Sequence, residues 1–132
     1  LKIVADTSVW IDFFNGQSNR QTSFLKKNLS EDRPIYFIPV IIQEILQGIK
    51  REESFEDILD LISGFPVMDT DPVVDAIEAA RLYRSLRKRG ITIRKSNDCL
   101  IASICIRNDA LLVFRDRDFD LIARHSPLQI FE

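Results

Sequence analysis

Short apolar runs alternate along this chain with longer stretches in which apolar residues recur every three or four positions. The first pattern predicts strands buried on both faces, the second helices with one buried stripe. Residues 2–5 form the first such strand. Residues 8–14 predict a short helix ended by Asn15-Gly16. A second helix over 19–29 turns Phe24, Leu25 and Leu29 inward. A strand over 35–39 closes on Pro39, and helices follow over 40–49 and 53–62, the latter stopped by Ser63-Gly64. Residues 66–69 predict a short strand. Asp71-Pro72 opens a long helix to about Lys88, with Gly90 as its stop signal. Then come a helix over 97–107, a strand over 111–114, a short helix over 119–124 and a last strand over 128–131. Strands separated by helices predict an α/β fold with a parallel sheet covered on both faces.

The length, 132 residues, suits one domain spanning 1–132, and no repeat or linker interrupts it. Hydrophobic residues at 45% and charged residues at 29% match a soluble globular chain. The apolar runs are too short to span a membrane. The run after Lys2 is too short for a signal peptide. Cys99 and Cys105 point in different directions from one predicted helix, beyond disulfide reach, and with His125 as the lone histidine they make no zinc pattern. A reducing cytoplasm is the expected setting.

The net charge of −2 argues against coating nucleic acid by bulk charge, but it leaves room for a local basic patch. Arg87, Lys88, Arg89, Arg94 and Lys95 form one; for Arg87 to Arg89, a solvated helix end favoured by the dipole is sufficient explanation.

Most of the acids belong to solvated faces, such as Glu52, Glu53, Glu56, Asp57 and Asp60. Four stand apart. Asp6 ends the first strand, followed by Thr7 and Ser8; a helix N-cap explains it locally. Glu44 sits at the rim of the stripe made by Ile41, Ile42, Ile45, Leu46 and Ile49. Asp98 lies in line with Ile101, Ala102 and Cys105, so it points toward the sheet, with Ser96 as the expected N-cap. Asp116 follows the 111–114 strand; Asp118 and Asp120 have a capping and a first-turn role available. Together the four acids can converge at the carboxyl edge of one parallel sheet, where open α/β folds carry their sites. Clustered carboxylates repel and are tolerated chiefly around a cation. An all-oxygen site suits Mg²⁺ or Mn²⁺, and such ions activate water against phosphodiesters.

The segments "IVADTSVWIDFF", "PVIIQEILQGI" and "NDCLIASICIRNDALLVFRDRDF", in this order and with the terminal strand, cover nearly the whole chain. In them the chain resembles the PIN-domain family, and within it the VapC-type ribonuclease toxins of toxin–antitoxin pairs. The resemblance implies a five-stranded parallel sheet flanked by helices. It maps the family's acidic quartet onto Asp6, Glu44, Asp98 and Asp116, with Asp118 as a candidate fifth member and Thr7 or Ser8 as the supporting hydroxyl. Asp6, Asp98 and Asp116 would hold Mg²⁺ or Mn²⁺, and Glu44 would hold a metal or orient the attacking water. The implied products carry a 5′-phosphate and a 3′-hydroxyl. Where the family often has Thr or Ser two residues before the fourth acid, this chain has Phe114. The implied partners are an RNA substrate, a VapB-type antitoxin and a second copy of the chain. Trp10, Phe13, Phe14 and Phe55 are the apolar candidates for such contacts, although for Trp10 a core position is the stronger expectation.

Other classes fit less well. A phosphoacceptor receiver domain needs a lysine after a late strand, and none follows Lys95. A Ser-His-Asp hydrolase needs a G-x-S-x-G elbow, which is absent. A PIN-like module that binds RNA or protein without cutting is the remaining alternative, and metal-dependent cleavage separates it from a nuclease.

Overall fold

The computed structural model describes residues 1–132. Four parallel strands form one sheet in the order β2-β1-β3-β4: β1 (Lys2–Ala5), β2 (Ile35–Tyr36), β3 (Ala110–Val113) and β4 (Gln129–Ile130). Seven helices complete the chain: α1 (Thr7–Phe14), α2 (Arg20–Ser30), α3 (Pro39–Gln47), α4 (Glu52–Ser63), α5 (Pro72–Lys88), α6 (Ser96–Arg107) and α7 (Asp118–Arg124). None is long and apolar enough to cross a membrane.

β1 is central, pairing Ile3 with Ile35 on one side and Val4 with Leu112 on the other. Ile3, Val4 and Ala5 are fully buried, as an unbroken apolar run predicts for a strand covered on both faces. The fully buried Trp10 of α1 stacks on Phe37, ring centroids 4.7 Å apart, and meets Phe65 edge-on. Trp10 is therefore core. Phe13, Phe14 and Phe55 are half-buried, so the exposed apolar surface lies elsewhere, at Ile11, Leu61, Val67, Val73, Val74 and Ile77.

The expected fifth strand is not a strand. Residues 66–69 make a single parallel bridge, Phe37 with Val67, held by the Phe37 N–H to Pro66 O (3.0 Å) and the Met68 N–H to Phe37 O (2.7 Å). Pro66 has no N–H to extend the ladder, and the N-cap Asp71 starts α5 almost at once. The strand expected over 35–39 shortens for a related reason: Pro39 is the first residue of α3, where a missing N–H costs nothing.

Helix ends follow their expected signals. Asp71 accepts the Val74 N–H at 3.3 Å. Gly90, at φ +78°, closes α5, with the Ile91 N–H donating to Leu86 O and its own N–H to Arg87 O. Ser96 departs from expectation: it is the first helical residue of α6, and the N-cap is Lys95, which makes no side-chain cap bond.

Candidate active site

The parallel sheet sends the chain ends that follow β1 and β3 out of the same edge. The Asp6 N–H donates to Val113 O at 2.8 Å, extending the ladder by one bond beyond Ala5. Asp6 thus leaves β1 beside the point where β3 ends, three residues before Asp116. The N-terminus of α6 brings Asp98 to this edge, and α3 brings Glu44.

Asp6 occupies the N-cap of α1 with extended backbone, yet its side chain makes no capping hydrogen bond. Its backbone carbonyl takes the Val9 and Trp10 N–H groups, while its carboxylate receives the Ser8 hydroxyl at a long 3.4 Å. Helix capping does not account for this carboxylate. Burial and the Glu44 charge push its pKa up to about 6, against the Thr7 backbone, the Ser8 hydroxyl and the Lys95 cation. Thr7 donates its hydroxyl to Glu44 Oε1 at 2.7 Å, tying the start of α1 to α3.

Asp98 is 4% exposed, and its Oδ2 is buried with no hydrogen-bond partner. Burial first, then the Asp6, Asp116 and Glu44 charges, raise its pKa to about 7, with Lys95 opposing. Asp98, Asp116 and Asp118 each bring a carboxylate oxygen to within 4.8 Å of the others. Three hard oxygen donors, one with an unpartnered buried atom, are a set that fits a hard divalent cation.

Asp116 stays in the cluster and also takes the turn-closing bond, while Asp118, a candidate fifth member with a capping role available, joins the cluster without capping. Asp116 Oδ1 accepts the Asp118 N–H at 3.0 Å and so closes the turn into α7. Asp118, the first residue of α7, caps nothing; it is buried and its Oδ2 accepts the Arg94 N–H at 3.3 Å. Asp118, rather than Asp6, completes the set of mutually close oxygens, and Asp6 acts on Asp98 through its charge. Asp120 lies in the first turn of α7, outside this set. Phe114 is 7% exposed and packs on Phe119, centroids 5.5 Å apart, so this position, where the family resemblance led one to expect a hydroxyl, serves the core.

Two equally buried acids escaped the sequence reading because their partners are distant in the chain. Asp12 pairs with Arg115 and receives Asn19 Nδ2 at 3.1 Å. Asp75 receives Arg107 Nε at 2.8 Å and the Asp71 N–H at 2.9 Å, bonds that hold its carboxyl below the usual range despite burial. These acids are neutralised by arginine, as buried charges in a structural role must be. Asp6 and Asp98 have no such partner. Of the expected basic patch, Arg94 lies against Asp116 and Asp118, and Lys95 against Asp116. Their place directly before Ser96-Asn97-Asp98 was the available signal.

Known proteins resemble this chain in sequence and fold. Ribonuclease VapC11 of Mycobacterium tuberculosis (strain ATCC 25618 / H37Rv) is 38% identical over 128 residues, 96% of this chain and 96% of that protein. Among solved structures, VapBC2 from Rickettsia felis, bound to a DNA fragment from its promoter, matches with TM-score 0.79 at 21% identity, covering 99% of this chain and 98% of that one. VapBC-1 from nontypeable Haemophilus influenzae matches with TM-score 0.77 at 14% identity over 100% and 98%. These two show the shared fold. The PIN domain match runs over residues 3–125, from the first residues of β1 to the end of α7, and the chain therefore belongs to the PIN-domain family.

Proposed function

We propose that this chain is a divalent-metal-dependent endoribonuclease, the toxin of a type II toxin–antitoxin pair, which hydrolyses RNA to 5′-phosphate and 3′-hydroxyl ends. The observation that carries the reading is the meeting of Asp98, Asp116 and Asp118 around an unpartnered Asp98 Oδ2, beside the unneutralised Asp6. Arg94 and Lys95 reach only Asp116 and Asp118, and at 3.4–3.8 Å, so buried Asp98 and Asp6 are left without a bonded cation, which costs stability and argues for an ion in the working protein. The choice of RNA rests on the 38% identity to a protein named a ribonuclease.

Asp98, Asp116 and Asp118 would hold Mg²⁺ or Mn²⁺, with Asp6 beside them. The ion supplies a Lewis acid and lowers the pKa of water. The remaining work belongs to the chain. Glu44 Oε1 is fixed by Thr7, which leaves Oε2 to orient the attacking water. Asp6 adds a buried negative charge beside the three donors. His125 meets Arg89 Nη1 at 3.2 Å, and there is no second histidine, so the paired imidazoles of a cyclic-phosphate route are missing.

An antitoxin of the VapB type is the proposed partner. Ile11, Phe14, Ile45, Ile49 and Ile58 line a cleft of about 400 Å³ between α1, α3 and α4, an apolar surface suited to a segment of such a partner. A second copy of this chain is the other expected partner, with exposed Val73, Val74 and Ile77 of α5 available to it.

The test is incubation of purified protein with RNA in chelator, Mg²⁺ or Mn²⁺, alongside Asp98→Asn. Metal-dependent cleavage lost in the variant supports the reading. RNA bound but left intact at every metal concentration would favour a non-cleaving binding module.

A further inference from the structure

We propose that Arg94 is a built-in counter-cation of the acidic cluster, displaced when the divalent metal binds, whose released guanidinium then takes a phosphate of the RNA. This rests on the metal-dependent nuclease reading above and assigns a substrate-binding residue to it.

The root of Arg94 is fixed. Its backbone N–H donates to Asp118 Oδ2 at 3.3 Å, and Ile93 before it is buried in the core. The side chain is not fixed. Nε lies 3.5 Å from Asp118 Oδ2 and Nη2 3.4 Å from Asp116 Oδ1, with 70% of the side chain exposed. Hydrogen bonds at these lengths from an exposed guanidinium are weak and exchange readily. Arg107 shows the contrast. It holds Asp75 at 2.8 Å, is 33% exposed, and also donates to Asp69 O at 3.0 Å. Arg107 is a structural clamp; Arg94 rests on its acids without locking them.

The carboxylates Arg94 touches belong to the set that fits a divalent ion. A guanidinium and a doubly charged ion cannot share those oxygens without repulsion, and the ion carries the larger charge. Arg94 does not reach Asp98 Oδ2, which keeps one donor open for the incoming ion. Once released, the guanidinium stays at the rim because its backbone is anchored there. Its planar fork matches a phosphodiester in bidentate fashion. Lys95 Nζ, 3.8 Å from Asp116 Oδ2, adds a second positive charge without that geometry.

The two halves of this role predict opposite effects of one substitution. In calorimetric titration of chelator-treated protein with Mn²⁺, Arg94→Ala should bind the ion about fivefold more tightly, the scale of an exposed ion pair removed. The same variant should cleave RNA with kcat/KM lowered roughly tenfold at saturating Mn²⁺, the scale of a charged hydrogen bond lost. Arg94→Lys should fall between wild type and Arg94→Ala in both measurements. Arg87→Ala, which removes a charge on α5 that hydrogen-bonds Tyr83, should leave Mn²⁺ affinity unchanged. Unchanged or weaker Mn²⁺ binding by Arg94→Ala overturns the inference, as does equal tightening by Arg87→Ala or unimpaired cleavage by Arg94→Ala. Wild-type protein that neither binds Mn²⁺ nor cleaves RNA would instead overturn the nuclease reading itself.

Discussion

Thr7 Oγ1 lies 2.7 Å from Glu44 Oε1, joining residues 37 positions apart across the mouth of the acidic edge. A hydroxyl donor here fixes one carboxylate oxygen of Glu44. Thr7→Val keeps the shape of the side chain and removes the donor. Cleavage by Thr7→Val should fall about tenfold, the scale of one hydrogen bond to a charged group, with the melting temperature little changed. Thr7→Ser should restore most of it. Wild-type rates for Thr7→Val would show that Glu44 needs no such hold.

The raised pKa values of Asp98 and Asp6 set a pH dependence with a defined sign. Both folded values, about 7 and about 6, lie above the unfolded carboxylate value, so the folded state holds more protons between them. Metal-free stability should be greatest near pH ~4 and decline as pH rises to about 7, then level off. Asp98→Asn should remove much of that decline and be the more stable protein in chelator at neutral pH, by on the order of 1–2 kcal/mol. Mn²⁺ should stabilise wild type and affect the variant less. Denaturant unfolding across this range decides it; a variant that is simply destabilised, with wild type indifferent to metal, refutes the cation site.

The three acids around the start of α7 should separate by position. Asp116 closes the turn and joins the cluster, Asp118 is buried within the cluster, and Asp120 stands outside it. Asp116→Asn and Asp118→Asn should both cut activity by at least about a hundredfold, the scale of an electrostatic group lost from the reacting centre. Asp120→Asn should stay within about threefold of wild type, since a first-turn charge contributes only ~0.3–1 kcal/mol to the helix. Parallel rate measurements check this, and a severe loss for Asp120→Asn alone would contradict the assignment.

Asp12 provides the structural control. It is as buried as Asp6, but Arg115 neutralises it and Asn19 bonds it. Asp12→Asn should lower stability by ~1–3 kcal/mol, because a charged hydrogen bond is lost at a buried position. Mn²⁺ affinity should not change. A chelator-sensitive response in Asp12→Asn would mean that the site reaches further along α1 than Asp98, Asp116 and Asp118 indicate.

Much of the fold was legible in the chain because its signals are local. Apolar runs of strand length, apolar stripes of helical period, Asp71-Pro72 at a helix start and Gly90 at its end each act within one or two turns of backbone. The placing of Asp6 after β1 and Asp98 on the sheet-facing stripe of α6 followed from the same periodicities. The strand over 66–69 failed because pairing needs partners, and Pro66 with the early start of α5 leaves one bridge where an apolar run alone suggested a ladder.

Only the tertiary structure decided which buried acids are neutralised and which are not. Asp12 meets Arg115 across 103 residues and Asp75 meets Arg107 across 32, while Arg94 reaches Asp116 across 22. No local pattern encodes such a pair, because the energy of a charge depends on what surrounds it in space. Four acids could be singled out from their places on strands and helices. Asp118 entered the close set only when the start of α6 brought Asp98 to the edge where β3 ends, whereas the turn-closing bond from the Asp118 N–H to Asp116 is a local contact two residues long.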